Sequence, residues 1–247
     1  MEHNISLNDF TKKRGQMQNS NASINSKKNE YENDSFELKD DENENKLTSD
    51  LKKPSNDKEM LLKALYEKIS NCTKCELSNT KNNYVFGQGS SNAKILFVGE
   101  APGFWEDQKG EPFVGRAGKF LDMLLEHIGL NRNDVYIANI LKCRPPENRD
   151  PTASEILACA PFLDELIRVI NPKIIAALGR HSMGYLFEKF NIEKEVISKI
   201  HGEHFNIYND LGEFFVIALY HPAVALYNPG MRDVLKKDFE KIKELIS

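Results

Sequence analysis

A chain of 247 residues, 40% hydrophobic and 28% charged, has room for one folded domain of ordinary composition plus a further segment. Its formal net charge of −4 excludes a uniformly basic nucleic-acid binder, so any such surface has to be a local patch. No run of about 18 apolar residues occurs, which excludes an ordinary membrane-spanning helix. The start, "MEHNISLNDFTKKRG", lacks the apolar core of a secretory leader, so a cytoplasmic protein is expected.

Residues 1–57 are rich in Asn, Ser, Lys, Asp and Glu with isolated apolar residues. Such a stretch buries too little surface to offset its ordering entropy, and we read it as a disordered polar tail and spacer. It carries 9 Lys+Arg and 12 Asp+Glu, which leaves the folded part, 58–247, with 24 and 25 and a net charge of −1. Residues 57–71 place Met60, Leu61, Leu65 and Ile69 at helical spacing. Four short apolar runs follow: "KILFV" (94–98), "VYIANIL" (135–141), "KIIAAL" (173–178) and "FFVIAL" (214–219). Each is nearly all apolar, as expected of strands covered on both faces. Between them lie helical patterns. "GKFLDMLLEHIG" ends at Gly129, and "TASEILACAPFLDELIRVINP" opens with a Thr152–Glu155 capping-box spacing and closes before Pro172. The last helical pattern spans 231–246.

Alternating strands and helices predict an α/β fold with a parallel sheet between helix layers. Ligands in such folds sit beyond the carboxyl ends of the strands. The segments "GEAPG" (99–103), "KCRPPENRDP" (142–151), "GRHSM" (179–183) and "YHPAVALYNPG" (220–230) each follow a strand, so they are expected to converge on one edge.

The chain has four cysteines, Cys72, Cys75, Cys143 and Cys159, spaced C-x2-C-x67-C-x15-C. In a cytoplasmic chain this argues against disulfides. A C-x-x-C pair brings two thiolates to one centre, and two more complete a four-sulfur shell for zinc or an iron–sulfur cluster. The spacing does not separate the two. The plain alternative is four buried thiols.

Five motifs now stand in order: "CTKCELS" (72–78), "VFGQGS" (85–90), "GEAPGFWEDQKGEPFVGRAG" (99–118), "YIANILKCRPPENRDPTASEILACAPFL" (136–163) and "HPAVALYNPGMR" (221–232). Together they resemble the family 4 uracil-DNA glycosylases, the iron–sulfur branch of the uracil-DNA glycosylase superfamily. The resemblance covers 58–247. It implies a three-layer α/β/α sandwich with a four-stranded, mainly parallel central sheet. It implies a structural [4Fe–4S] cluster on Cys72, Cys75, Cys143 and Cys159. It also implies hydrolysis of the N-glycosidic bond of uracil in single- or double-stranded DNA, leaving an abasic site. A monomer with no membrane association is expected.

Roles follow from the resemblance and from the chemistry. The target base has to be flipped into a pocket. Phe113 matches the family's stacking aromatic. Asn139 matches the uracil-reading amide, which accepts from N3–H and donates to O4; the same amide fits cytosine poorly. His221 matches the histidine that donates to O2 of the leaving base, and backbone N–H groups of Glu100 and Ala101 add donors there. Ala101 stands where the best-known superfamily branch has an aspartate. Glu100, Glu106 and Asn148 match the polar residues implicated in positioning water, with Asp107 as a substitute for Glu106. Arg116, Lys142, Arg144 and Arg232 are expected at DNA, as are Lys119, Arg149 and Arg180. Leu226 and Tyr227 are the candidates for a minor-groove wedge.

Three other readings stand beside this one. A non-catalytic iron–sulfur nucleic-acid-binding protein of the same fold would also present these motifs. A phosphate hydrolase using "GEAPG" as an anion cradle lacks the lysine and Ser/Thr of a P-loop, since Phe104-Trp105-Glu106 follow Gly103. The branch of the superfamily that cross-links abasic DNA has an inserted basic loop with a histidine, and "CRPPENRDPTASE" has neither.

Overall fold

The computed structural model describes residues 54–246, with side chains from 57 onward. The expected tail at 1–57 lies outside these residues except for its last four. Those four belong to the first helix, α1 (Pro54–Ser70), which starts three residues before the sequence pattern placed it.

The elements that follow are α2 (Leu77–Thr80), β1 (Gln88–Gly89), β2 (Ile95–Gly99), α3 (Phe104–Lys109), α4 (Arg116–His127) and β3 (Tyr136–Asn139). Next come a 3-10 turn (Pro146–Asn148), α5 (Ala153–Ile170), β4 (Ile174–Leu178), α6 (Arg180–Lys189) and α7 (Ile197–Ile200). The chain closes with β5 (His204–Asn209), β6 (Gly212–Leu219), α8 (Val224–Tyr227) and α9 (Met231–Ile246).

All strands form one sheet in the order β1-β3-β2-β4-β6-β5. The four apolar runs make its parallel centre, β3-β2-β4-β6. The sheet is six-stranded because β1 and β5 add antiparallel edges. β5 pairs with β6 from His204↔Ile217 to Asn209↔Gly212, a hairpin whose outer strand is half exposed.

Strand side chains alternate between two cores. Leu96, Val98, Tyr136, Ala138, Ile175, Ala177, Val216 and Ala218 face the layer of α1, α5 and α6. Ile95, Phe97, Ile137, Ile174, Ala176, Leu178, Ile217 and Leu219 face the layer of α4 and α9. This period of two, with both faces covered, is what makes each strand read as an unbroken apolar run. The architecture is thus a three-layer α/β/α sandwich.

The helices obey their local signals. Thr152 caps α5: its hydroxyl accepts from the Glu155 N–H at 3.3 Å, and the Glu155 carboxylate accepts from the Thr152 N–H at 2.8 Å. Arg149 holds the same carboxylate through two nitrogens, at 2.9 and 2.6 Å, and pulls its pKa down to about 2. α4 buries Phe120, Leu121, Leu124 and Leu125 on one stripe and stops before Gly129, which takes a positive φ of 79°.

The chain leaves β2 toward β3 on one side and reaches β4 on the other. The carboxyl ends of β2, β3 and β4 therefore frame the crevice where such sheets bind ligands.

Candidate active site

β2 ends at Gly99, and the candidate site is built against it. A Cβ on Gly99 would lie 2.3 Å from Asn139 Oδ1 and 2.8 Å from the Phe113 ring. Only hydrogen at this position lets the amide and the aromatic face meet the strand end. His221, just beyond β6, stacks on Phe113 with ring centroids 5.6 Å apart and planes 28° from parallel. Three segments distant in sequence thus bring Phe113, Asn139 and His221 to one place.

Phe113 is held in an uncommon backbone conformation, with φ at +52°. Two features fix it. Gly118 in α4 approaches so closely that a Cβ there would sit 1.7 Å from the Phe113 carbonyl oxygen. Arg132 donates to the carbonyls of Pro112, at 3.0 Å, and of Phe113, while Asp122 accepts from its Nε at 2.6 Å.

Asn139 is 2% exposed as a residue, and its hydrogen bond to Lys142 goes through the backbone carbonyl, which leaves the side-chain amide free of partners among the described residues. No fully buried side-chain polar atom among the described residues lacks a partner, so the free Asn139 amide keeps access to the space beside the strand end and is open to a ligand. His221 Nδ1 accepts from the Ala223 N–H at 3.2 Å, so the neutral ring carries its proton on Nε2. Burial pulls its pKa from 6.5 down to about 4, against the opposing charge of Glu106. The ring is a neutral donor at physiological pH.

The three candidate water-positioning residues occupy different situations. Glu106 Oε1 accepts from the N–H groups of Val114 and Gly115, both at 2.9 Å, which satisfies donors at the start of α4. Asn148 Oδ1 accepts from Arg144 Nε at 2.8 Å, on the exposed 3-10 turn. Glu100, directly after β2, has a carboxylate 3.8 Å from His181 Nε2. Burial raises its pKa, and His181 works against the rise. Asp107 is no substitute for Glu106: it is 1% exposed and accepts from the backbone N–H groups of Asn82 and Asn83.

The expected DNA contacts divide. Arg116 opens α4 and is exposed, Arg144 is half-buried, and Arg232 is exposed with its guanidinium 6.0 Å from the Phe120 ring centre; Ala101, expected at the substrate, is half-buried directly after Glu100. Tyr227 is 87% exposed and Leu226 half-buried, which leaves the tyrosine the freer of the two wedge candidates. Lys142 is a correction. It is 2% exposed, and its Nζ donates to the Asn139 carbonyl at 2.7 Å. It lines the cavity of the cysteines and is too buried to meet phosphate.

The four cysteines line one pocket together with Leu141, Lys142 and Phe162. Cys72 and Cys75 come from the turn after α1, Cys143 from the loop after β3, and Cys159 from α5. The Lys142 N–H donates to Cys159 Sγ at 3.3 Å. No three of these sulfurs lie within 4.8 Å of one another.

Sequence reasoning missed Arg132, Asp150 and His181. His181 Nε2 lies 3.4 Å from Asp150, and Arg180 holds Asp150 at 2.6 Å. The converging segments pointed to His181 and Asp150 without assigning them. Nothing local marks Arg132, which stands 19 residues from the carbonyl it holds.

Residues 86–245 match the family model described as the uracil DNA glycosylase superfamily. The chain is 50% identical over 189 residues to a type-4 uracil-DNA glycosylase of Saccharolobus solfataricus, covering 75% of this chain and 87% of that protein. It is 49% identical over 185 residues to that of Sulfurisphaera tokodaii, covering 74% and 84%. Against the type-4 enzyme of Archaeoglobus fulgidus it is 48% identical over 181 residues, covering 73% and 91%. The chain belongs to the uracil DNA glycosylase superfamily, in its type-4 branch.

Proposed function

We propose that residues 58–247 hydrolyse the N-glycosidic bond of uracil in DNA, by flipping the base into the Phe113–Asn139–His221 pocket and leaving an abasic site. The observation that carries this reading is the meeting of an aromatic face, a side-chain amide without a protein partner and a neutral imidazole donor around Gly99. Phe113 supplies the stacking surface. The Asn139 amide reads N3–H and O4. As the bond breaks, charge grows on O2 of the leaving uracil, and His221 Nε2–H stabilises it by donating one hydrogen bond. Glu100 is the carboxylate assigned to the water and the developing sugar cation, because Glu106 and Asn148 are engaged in holding the loop and Arg144.

We also propose a [4Fe–4S] cluster on Cys72, Cys75, Cys143 and Cys159. Three observations support the fit. The four sulfurs line one pocket. They are spread wider than the shell drawn in by zinc–sulfur bonds of about 2.3 Å. The backbone N–H of Lys142 already donates to Cys159 Sγ, a contact that suits a thiolate ligand. The group would supply a cross-link joining the end of α1, the loop after β3 and α5.

The test is a duplex holding one uracil, incubated with anaerobically purified protein and no added metal, followed by alkali. Cleavage at uracil and not at cytosine is expected, with Asn139→Ala reducing it at least a hundredfold. Failure of the wild type to cleave, in protein that keeps its iron–sulfur absorbance, would refute the reading and favour a non-catalytic DNA binder.

A further inference from the structure

We propose that Phe104, Trp105 and Arg144 form a stacking platform for an unpaired nucleobase adjacent to the flipped nucleotide, an inference that rests on the glycosylase reading above. Phe104 and Trp105 open α3 and are 45% and 58% exposed. They meet edge to face with centroids 5.1 Å apart. The Arg144 guanidinium lies over Phe104, 5.2 Å from its centre, and Asn148 holds that arginine in place.

Single exposed aromatics are ordinary on a soluble surface. Two adjacent ones, topped by a guanidinium, are a different object. Trp105 leaves more than half of its surface to solvent, and the guanidinium over Phe104 adds a cation able to meet phosphate.

The place is as informative as the composition. Glu106, next in the same helix, fastens α3 to the backbone N–H groups of Val114 and Gly115, directly after Phe113. Trp105 Cδ1 stands 3.6 Å from the position of a Cβ on Gly115, and Arg116 is exposed one residue further on. The aromatic pair is therefore tied to the segment that carries Phe113, with Arg144 over Phe104 and Arg116 next along the chain. Flipping a nucleotide strips its neighbours of one stacking partner, and an aromatic face tied to that segment replaces it. Aromatic residues and arginine also favour protein interfaces. Here the two cations and the Phe113 segment favour a nucleic-acid strand.

Trp105 is the only tryptophan in the chain, so its emission reports on the platform alone. The full-length protein is titrated with a thymine-only single strand of about 12 nucleotides. Quenching at saturation is expected. Phe104→Ala and Trp105→Ala should each raise Kd roughly five- to tenfold by anisotropy of a labelled strand. Their melting and salt slope should stay unchanged, because the removed groups are exposed and neutral. Arg144→Met should instead lower the salt slope by about one. Unquenched emission at saturating DNA, or Trp105→Ala binding as tightly as wild type, would overturn the platform. The thymine strand needs no excision, so that failure can occur with uracil release intact. Loss of uracil release by the wild type with quenching retained would refute the glycosylase reading and leave the DNA contact standing.

Discussion

Proton uptake by His221 is the most direct check on the pocket. Burial holds its folded pKa near 4, against 6.5 for the free side chain. Between these values the unfolded imidazole takes a proton that the folded one refuses. Stability is therefore fully present above pH 6.5 and falls as the pH drops toward 4. The full difference corresponds to about 3 kcal/mol. Glu106 faces the ring with opposite charge and already softens the shift. Urea unfolding of the wild type and of His221→Gln, compared at intervals between pH 4 and 7.5, isolates the contribution. The two stability curves should diverge as the pH rises across this window. Uracil release in single turnover should show no ascending limb near pH 6.5 attributable to His221, since the donor is already neutral there. Parallel stability curves, or an ascending limb near 6.5 that disappears in His221→Gln, would refute the neutral-donor argument.

Three other perturbations test the supports of the site. Arg132→Met removes two charged donors from the Pro112 and Phe113 carbonyls; we predict a loss of about 2 to 4 kcal/mol in urea unfolding. Arg132→Lys should not restore uracil affinity, because an ammonium lacks the fork; full activity in both variants would show that Phe113 needs no clamp. Gly118→Ala forces a methyl to within 1.7 Å of the Phe113 oxygen unless the backbone moves, so KM for uracil DNA should rise well before the helix melts. An unchanged KM would contradict the close approach. Cys143→Ser should lose iron–sulfur absorbance and lower the melting temperature; a cluster-free variant with wild-type melting would remove Cys143 from the ligand set.

Much of the fold could be read directly because burial on both faces writes itself into composition. The four parallel strands are continuous apolar runs, and α5 announced its start through Thr152 and Glu155. β5 escaped because it is an edge strand: "HFNIYN" alternates, with Phe205 and Ile207 turned inward, and period-two alternation was the signal that would have found it. β1 is two residues long and carries no pattern.

The site divides along a different line. The family resemblance singled out Phe113, Asn139 and His221, while position after strand ends marked only the segments that converge; the C-x2-C spacing marked the cysteines as ligands without choosing the metal centre. What the sequence could not assign was the partner of each polar group. Glu106 and Asp107 are neighbours of the same charge, yet one fastens the loop at Val114 and the other is buried against Asn82 and Asn83. Lys142 and Arg144 differ by two positions, yet one lines the cavity of the cysteines and the other points toward solvent. Those fates depend on which segments pack together across the sheet ends, and a hydrogen bond or a desolvated charge exists only once that packing is made. Sequence by itself determined the four parallel strands, the cap of α5 and the inventory of reactive groups; the tertiary structure decided which of them meet at Gly99.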